Sequence, residues 1–273
     1  METPLITIAI TSYNHAAYIE FALDSVLKED YPNKAIVIID DGSTDNSPEL
    51  IRQWISRNQH LVPVHFISRP NKGLAYTLNE LLDNIHSEYL ALLASDDAFC
   101  NNGLTKRMQV MQQTKKMLVV GDCSVMDNEG NITHRSWMKD VMKRDVSNYQ
   151  TEEGIMKEVL THPAISGSVL LLNKKIYDEI GRYPYNFYAE EWFFYQRCAA
   201  YRYMVYIDEV VSLYRRHDAN TSGSDFSKRK HLVKSIIKSY RMSWHLFPGK
   251  IKLIALKQWL RWIYIYIRAY IIQ

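Results

Sequence analysis

The sequence has few or none of the residues that mark several large classes of protein. It holds three cysteines in 273 residues, without metal-ligand or redox spacing. No disulfide framework is therefore implied, and buried or incidental thiols in a reducing compartment are expected. The cysteines are Cys100, Cys123 and Cys198.

The chain contains neither the Gly-x-Gly-x-x-Gly of dinucleotide-dependent dehydrogenases nor the Gly-Lys-Ser/Thr of P-loop enzymes, so both classes are disfavoured.

The start of the chain lacks the features of a cleavable leader. Met1 is followed by the apolar run Leu5 to Ile10, without a basic start or a small-residue cleavage site. We therefore expect a first strand rather than a signal peptide, and a cytosolic chain.

Acidic residues are missing from the last part of the chain. Phe226 to Gln273 holds eleven Lys or Arg and no Asp or Glu, so it carries +11, and the net charge of +3 leaves −8 for residues 1 to 225. A nucleic-acid binder driven by this tail is one alternative. The acidic body argues against it, and we expect no nucleic-acid partner.

The basic tail is also aromatic and amphipathic. On a helical wheel its cations Lys250, Lys257, Arg261 and Arg268 form one stripe, and apolar or aromatic residues occupy the rest. These charges interrupt any apolar run long enough to cross a bilayer. Two interpretations stay open: the helix lies on an anionic membrane surface, or its apolar face packs on the body or on a second copy.

Short β-branched runs alternate with amphipathic stretches through the first 120 residues, which is typical of α/β proteins with a largely parallel sheet. The helix signals include leucines at helical spacing after Leu74, and Ser47-Pro48 as a helix start. A later helix should begin near Glu190, and Pro248-Gly249 should separate two tail helices. Predicted strands are Leu5 to Ile10, Ala35 to Ile39, Val64 to Ile67, Tyr89 to Leu93, Leu118 to Val120 and Val210 to Arg215.

Polar or acidic loops follow three of these strands. They are Thr11 to Asn14, Asp40 to Asp45, and Ala94 to Asp97. Ligands of open α/β sheets bind beyond the carboxyl ends of the strands, so the three loops should open on one crevice. Asp96-Asp97 could hold Mg²⁺ or Mn²⁺ there, bridging to a diphosphate. A solvated, helix-capping turn is the alternative for this pair alone.

Taken together, the loops resemble family 2, inverting glycosyltransferases of the bacterial polysaccharide-synthesis type, over roughly residues 5 to 220. The resemblance implies a GT-A fold, with a mostly parallel central sheet flanked by helices. Residues 1–225 would form the catalytic domain and residues 226–273 a helical tail. The motifs are Thr11 to Asn14, Ile38 to Asp45, Arg69 to Gly73, and Ala94 to Asp97.

The resemblance also implies a donor site for a UDP-sugar. Thr11, Tyr13 and Asp40 would contact the uridine, because an aspartate can accept from the uracil imide and a tyrosine ring can pack on the base. Core packing for Tyr13 and turn formation for Asp40 are the alternatives. Further donor contacts are implied for Asn71, Lys72 and Asp96.

The metal, Mn²⁺ or Mg²⁺, would be held by Asp96, Asp97 and His217. His217 lies in Tyr214 to Ser222, which resembles the family's late segment, where a histidine can complete the metal site or an arginine can reach the diphosphate. A histidine that is only solvated or hydrogen-bonded is the alternative.

An inverting transfer needs a general base, and the family supplies it from an acidic pair before an aromatic residue. Glu191 occupies that position, with Glu190 as the fallback. Partial burial beside Trp192 and Phe193 would raise the pKa of the carboxyl group toward working pH. An acidic helix start is the alternative.

The acceptor is expected to be a glycan or a lipid-linked glycan, and a homo-oligomer is compatible with the sequence. Ala94 replaces the first acid of the Asp-x-Asp motif that many family members carry. A catalytically inactive, nucleotide-binding relative or a membrane-associated assembly protein is therefore the competing interpretation.

Overall fold

The computed structural model describes residues 3–217 and 226–271. Asp218 to Ser222, the end of the late segment, lie outside the described residues. The first half alternates strands and helices as the sequence predicts, and its four strands pair in parallel in the order β3-β2-β1-β4. The elements are β1 (Ile6–Ser12), α1 (Ile19–Lys28), β2 (Lys34–Asp40), α2 (Ser47–Asn58), β3 (Val64–Ser68), α3 (Leu74–Asn84) and β4 (Tyr89–Ala94).

The start of α2 differs in detail from the predicted cap. Ser47 is the first helical residue, and its hydroxyl donates to Asp45 instead of capping the helix. The same Ser47 Oγ accepts from the backbone N–H of His15 at 3.0 Å. The helix start therefore fixes the loop that follows β1.

The second half adds strands of both directions. The sheet order is β3-β2-β1-β4-β8-β6-β9-β5, with β7 paired to β6, and β8 is antiparallel to both β4 and β6. Since β9 is parallel to β6, the carboxyl ends of β1, β2, β4 and β9 share one edge of the sheet. The added elements are β5 (Ala98–Phe99), α4 (Gly103–Thr114), β6 (Leu118–Met126), β7 (Ile132–His134), α5 (Glu152–Thr161), β8 (Leu170–Asn173), α6 (Ile176–Ile180), α7 (Glu190–Ala200) and β9 (Met204–Arg215).

Both faces of the sheet are covered. Ile8 and Ile10 of β1 belong to one buried cluster, whereas Ala9 belongs to the other. Alternate residues of a strand point to opposite faces, so a strand buried on both sides must be apolar throughout. This is why β1 and β2 appear in the sequence as continuous apolar runs.

The tail forms a hairpin of two helices, α8 (Phe226–Ser243) and α9 (Gly249–Tyr270), which separate at Pro248-Gly249 as predicted. Ile236 and Tyr240 of α8 and Ala255 of α9 are buried in the same core cluster as α5 and α7. One face of each tail helix therefore packs on the body. Within the described residues, no helix combines the length and apolar character needed to cross a bilayer.

Candidate active site

The loops after β1, β2 and β4 meet at the carboxyl edge of the sheet. Ser12 pairs with Asp40, and Thr11 pairs with Ala94. Asn14, whose φ is 54°, joins the first two loops. Its backbone N–H donates to Ser43 Oγ at 2.8 Å, and its side-chain oxygen accepts from the backbone N–H of Thr44 at 2.8 Å. His15 Nδ1, at 2.8 Å from Ser95 Oγ, joins the loop after β4 to the other two, so the three loops adjoin one another where the sequence predicts a crevice.

Three side chains in this crevice could hold a metal ion. His217 Nε2 lies 3.0 Å from Asp96 Oδ2, and His15 Nε2 lies 3.8 Å from the same oxygen. Suitable ligand atoms of the three residues all lie within 4.8 Å of one another. Two imidazoles and a carboxylate are an ordinary donor set for a divalent transition metal.

His15 is held in position by its neighbours. Its Nδ1 lies 2.8 Å from Ser95 Oγ, so a proton on Nδ1 would be donated there and the Nε2 lone pair would stay available. Burial lowers the pKa of His15, an effect that the charge of Asp96 partly opposes. The ring is therefore neutral near pH 7, which is the form that binds metal.

Arg215, at the end of β9, fixes the surroundings of Asp96. Its Nε donates to the backbone oxygen of Asp96 at 3.0 Å, and its guanidinium lies 4.9 Å from the ring centroid of Tyr18. The Tyr18 ring in turn lies 4.8 Å from the His217 ring. Arg215 is buried and committed to these contacts, whereas the next residue, Arg216, is exposed.

Asp97, predicted as a metal ligand, lies outside this group. Its carboxylate is buried, accepting from the Ser168 hydroxyl on one oxygen and from the backbone N–H of Arg215 at 2.9 Å on the other. Burial and the neighbouring charge of Asp96 raise its pKa. Asp97 thus links the loop after β4 to the turn that precedes β8 and to the end of β9.

The predicted donor contacts fall into exposed and buried sets. Tyr13 is 48% exposed, Thr11 is partly exposed, and Asn71 and Lys72 are exposed in the loop before α3. Asp40 is fully buried: its carboxylate accepts from Ser12 Oγ at 3.0 Å and from the backbone N–H of Ser43 at 2.9 Å. A contact from Asp40 to a base would require an exchange of these bonds.

The two candidate bases differ in burial. The sequence predicts partial burial for Glu191, but in the structure Glu190 is the more buried of the two. Glu191 is exposed, whereas Glu190 is partly buried, and burial raises the pKa of Glu190. Burial, followed by the charges of Asp97, Asp96 and Glu191, raises the pKa of Tyr214 to about 12. The charges of Glu191 and of the Asp96-Asp97 pair thus act on the same tyrosine.

A cavity of about 500 Å³ between α8 and α9 is lined mainly by apolar side chains such as Val233, Ile236 and Trp262. It lacks acidic groups and does not suit a metal-bound nucleotide.

Residues 7–181, more than half of the chain, match the family described as Glycosyl transferase family 2. The chain belongs to this family.

Relatives of known sequence agree with that assignment. An uncharacterized glycosyltransferase of Rickettsia typhi is 24% identical over 91% of this chain and 73% of the relative. The putative teichuronic acid biosynthesis glycosyltransferase TuaG of Bacillus subtilis is 29% identical over 46% of this chain.

An uncharacterized glycosyltransferase of Haemophilus influenzae is 34% identical over 48% of this chain. The matched parts make up 52% of the Haemophilus protein and 50% of TuaG, so the chain spans about half the length of these two relatives.

Solved structures of similar fold include the mannosyltransferase PcManGT of Pyrobaculum calidifontis with GDP-Man and Mn²⁺. The TM-score is 0.66 at 16% identity, covering 97% of this chain and 76% of PcManGT. TarS of S. aureus with UDP-GlcNAc gives a TM-score of 0.63 at 16% identity, covering 97% of this chain and 81% of TarS. These similarities confirm the predicted GT-A fold of this family 2 member.

Sequence reasoning missed His15, Tyr18 and Ser168. His15 directly follows the Thr11 to Asn14 motif, so its position after β1 was the available signal. Ser168 gave no signal, because its role depends on the pairing of β8 with β4.

Proposed function

We propose that this family 2 member is a metal-dependent, inverting glycosyltransferase that transfers a hexosyl or N-acetylhexosaminyl group from a UDP-sugar to a glycan or lipid-linked glycan. The observation that carries the proposal is the convergence of His15, Asp96 and His217 on one point of the crevice. The family's donor loops surround that point.

His15, Asp96 and His217 would hold the cation, with Mn²⁺ favoured over Mg²⁺ because two of the three ligands are imidazoles. The complex of PcManGT with Mn²⁺ supports this choice. When bound, the cation would offset the charge that develops on the leaving diphosphate. The exposed Arg216, next to His217, would add a positive charge on the same side.

The loop residues supply the donor contacts. Thr11 and Tyr13 are accessible for the uridine, and Asn71 and Lys72 lie exposed in the loop before α3. Asp40 would act by shaping the loop through Ser12 and Ser43, unless the nucleotide displaces those contacts. The UDP-GlcNAc in TarS supports a uridine donor.

Glu191 is the proposed general base, which takes the proton of the acceptor hydroxyl as that oxygen attacks the sugar in line with the leaving diphosphate. Its charge raises the pKa of Tyr214, as do those of Asp96 and Asp97, which supports a position near the proposed metal ligands. Glu190 remains the fallback. A single displacement requires no covalent intermediate.

The acceptor is proposed to be a growing cell-surface polysaccharide of the capsule or O-antigen type. The similarity to TuaG, whose name refers to teichuronic acid biosynthesis, supports a polysaccharide product.

The test is a UDP-sugar panel with Mn²⁺, run on the wild type, Glu191→Gln and Glu190→Gln. We expect Glu191→Gln to keep UDP binding and to lose transfer by about 10²–10⁴-fold, while Glu190→Gln loses much less. The rival hypothesis is that the chain is an inactive relative, because Ala94 stands where many family members have the first acid of the Asp-x-Asp motif. Nucleotide binding without hydrolysis or transfer by the wild type on any donor would favour that rival.

A further inference from the structure

Helix α9 has an exposed apolar face that points away from the body of the protein. Ile251 and Ala255 are buried, and the opposite side of the helix carries exposed apolar residues at heptad-like spacing. Their exposed fractions are high for large side chains in a packed helix. They are Leu253 at 66%, Leu260 at 56%, Tyr264 at 60%, Ile267 at 37% and Ile271 at 64%.

A row of cations runs along one side of this apolar face. Lys250, Lys257, Arg261 and Arg268 are all exposed and recur at intervals of seven, four and seven residues. On a helical wheel they occupy one narrow stripe next to the apolar face. The sequence from Phe226 to Gln273 contains no acidic residue, although Glu153 of α5 lies close enough to Lys250 for the charge of the lysine to lower the pKa of Glu153.

We propose that the outward face of α9 docks on an anionic membrane surface, with the helix axis parallel to the bilayer. The apolar side chains would enter the boundary between headgroups and acyl chains, and the row of cations would meet the phosphates. A second copy of the chain fits this face less well. Pairing two α9 helices would bring two like-charged rows together without acidic partners.

The docked helix lies close to the proposed base. The ring of Trp192, which follows Glu191, lies 5.6 Å from the ring of Trp262 on α9. The backbone N–H of Tyr188 donates to Ser235 Oγ on α8 at 3.1 Å. Docking therefore brings the acceptor side of the crevice near the bilayer, which suits a lipid-linked acceptor. The link to a lipid-linked acceptor rests on the proposed function, whereas the docking of α9 on a membrane does not.

The experiment is co-sedimentation of the full chain with vesicles, without any sugar nucleotide, so that a failure of the proposed transfer leaves the result unaffected. We compare phosphatidylcholine vesicles with vesicles that hold about one third phosphatidylglycerol. The wild type should bind the anionic vesicles only, and added salt should weaken binding. Absence of binding to anionic vesicles would overturn the proposal.

The charge variant changes Lys257, Arg261 and Arg268 to Gln. Its matched control changes the exposed Lys28, Lys115 and Lys143 to Gln, which removes the same net charge elsewhere. We expect a loss of about fivefold per α9 charge, or about a hundredfold in all, while the control keeps its binding. Equal losses in both variants would show that net charge alone drives binding and would overturn the assigned surface.

The apolar variant is Leu260→Ser with Tyr264→Ser, and its control is Leu61→Ser with Ile132→Ser, which are also exposed. The α9 variant should lose at least tenfold in vesicle binding, with an unchanged melting temperature. If instead it leaves vesicle binding intact and halves the mass of the protein in analytical ultracentrifugation, a second copy is the partner and the proposal fails.

Discussion

Asp96 Oδ2 is the atom on which the proposed metal site converges. His217 lies 3.0 Å from it and His15 lies 3.8 Å from it, and the His217 side chain is only 2% exposed. The oxygen faces two imidazoles with little water around them. A divalent cation placed among these atoms would replace the histidine contacts with coordinate bonds to the same atoms.

The first prediction concerns these ligands. His15→Ala and His217→Ala should each weaken Mn²⁺ binding by about 10- to 100-fold, because each removes one donor from a set of three. Isothermal titration with Mn²⁺ in the absence of donor measures the effect. His60→Ala, which removes an exposed histidine outside the group, is the control. An unchanged affinity in His15→Ala would exclude His15 from the site.

The second prediction separates Asp97 from Asp96. Asp97→Ala should lower the free energy of unfolding by about 1–3 kcal/mol for each buried group left without an acceptor, namely the Ser168 hydroxyl and the Arg215 N–H. Asp97→Asn keeps one acceptor oxygen and should cost less. Urea unfolding measures these free energies. In Mn²⁺ titrations, Asp97→Asn should lose less Mn²⁺ affinity than Asp96→Asn. The reverse order of Mn²⁺ affinities would make Asp97 a ligand.

At this scale the sequence predicts the strand ends well and the side-chain roles less well. The sequence indicates Asp96 and His217 as candidates because each stands next to a strand end in a recognisable motif. His15 belongs to the same loop, but nothing local shows that its ring turns toward Asp96. The burial of Asp97 depends on Ser168 and Arg215, which lie far away in the sequence, and no local pattern reveals these contacts.

At the scale of the elements, the N-terminus of α4 is capped by a buried acidic side chain from another part of the chain. Glu29, just after α1, is 2% exposed, and its Oε2 accepts from the backbone N–H groups of Gly103 and Leu104 at 3.0 and 3.3 Å. It therefore supplies the cap that no side chain of α4 provides. Burial is the main reason that its pKa is raised to about 7.

The third prediction follows from this cap. The folded protein holds a proton on Glu29 between about pH 4.5 and 7, whereas the unfolded chain releases it, so stability should fall as the pH rises through this range. Glu29→Gln keeps an acceptor but cannot titrate, so it should flatten the decline. Melting temperatures measured from pH 4.5 to 7.5 test this, with the exposed Glu49→Gln as the control. Parallel pH curves for the wild type and Glu29→Gln would contradict it.

The elements of the first half were predictable because βα units carry strong local signals in strands that are buried on both faces. In the second half the sequence predicts β6, α7, β9 and the break between the tail helices, but not how the strands pair. The antiparallel direction of β8 depends on its pairing with β4 and β6, which lie far away in the sequence. The region from Asp122 to Pro184, for which the sequence analysis names no strand or helix, contains the end of β6 together with β7, α5, β8 and α6.

For the molecule as a whole, the tail and the body share a core. Tyr240 of α8 is fully buried, and its hydroxyl donates to the backbone oxygen of Leu160 in α5. The body and the tail were predicted as separate units, at residues 1–225 and 226–273. We propose that they nevertheless unfold together, since their apolar side chains form one cluster.

The fourth prediction tests this shared core. Tyr240→Ala should lower the free energy of unfolding by about 3–5 kcal/mol within a single cooperative transition. Tyr264→Ala, on the exposed face of α9, should change it by less than about 0.5 kcal/mol. Urea unfolding followed by both fluorescence and circular dichroism distinguishes the outcomes. Two separate transitions would show that the tail folds independently.

The proposed ligands come from distant parts of the chain: His15 follows β1, Asp96 follows β4 and His217 follows β9. In polymer terms, a cation held by all three is a cross-link between the beginning and the end of the catalytic domain. An unfolded chain cannot bring such remote points together, so the ion favours only the folded state. At about 100 times its dissociation constant it would contribute about 2.7 kcal/mol to the free energy of unfolding. Removing the ion would thus loosen the fold as well as the donor site.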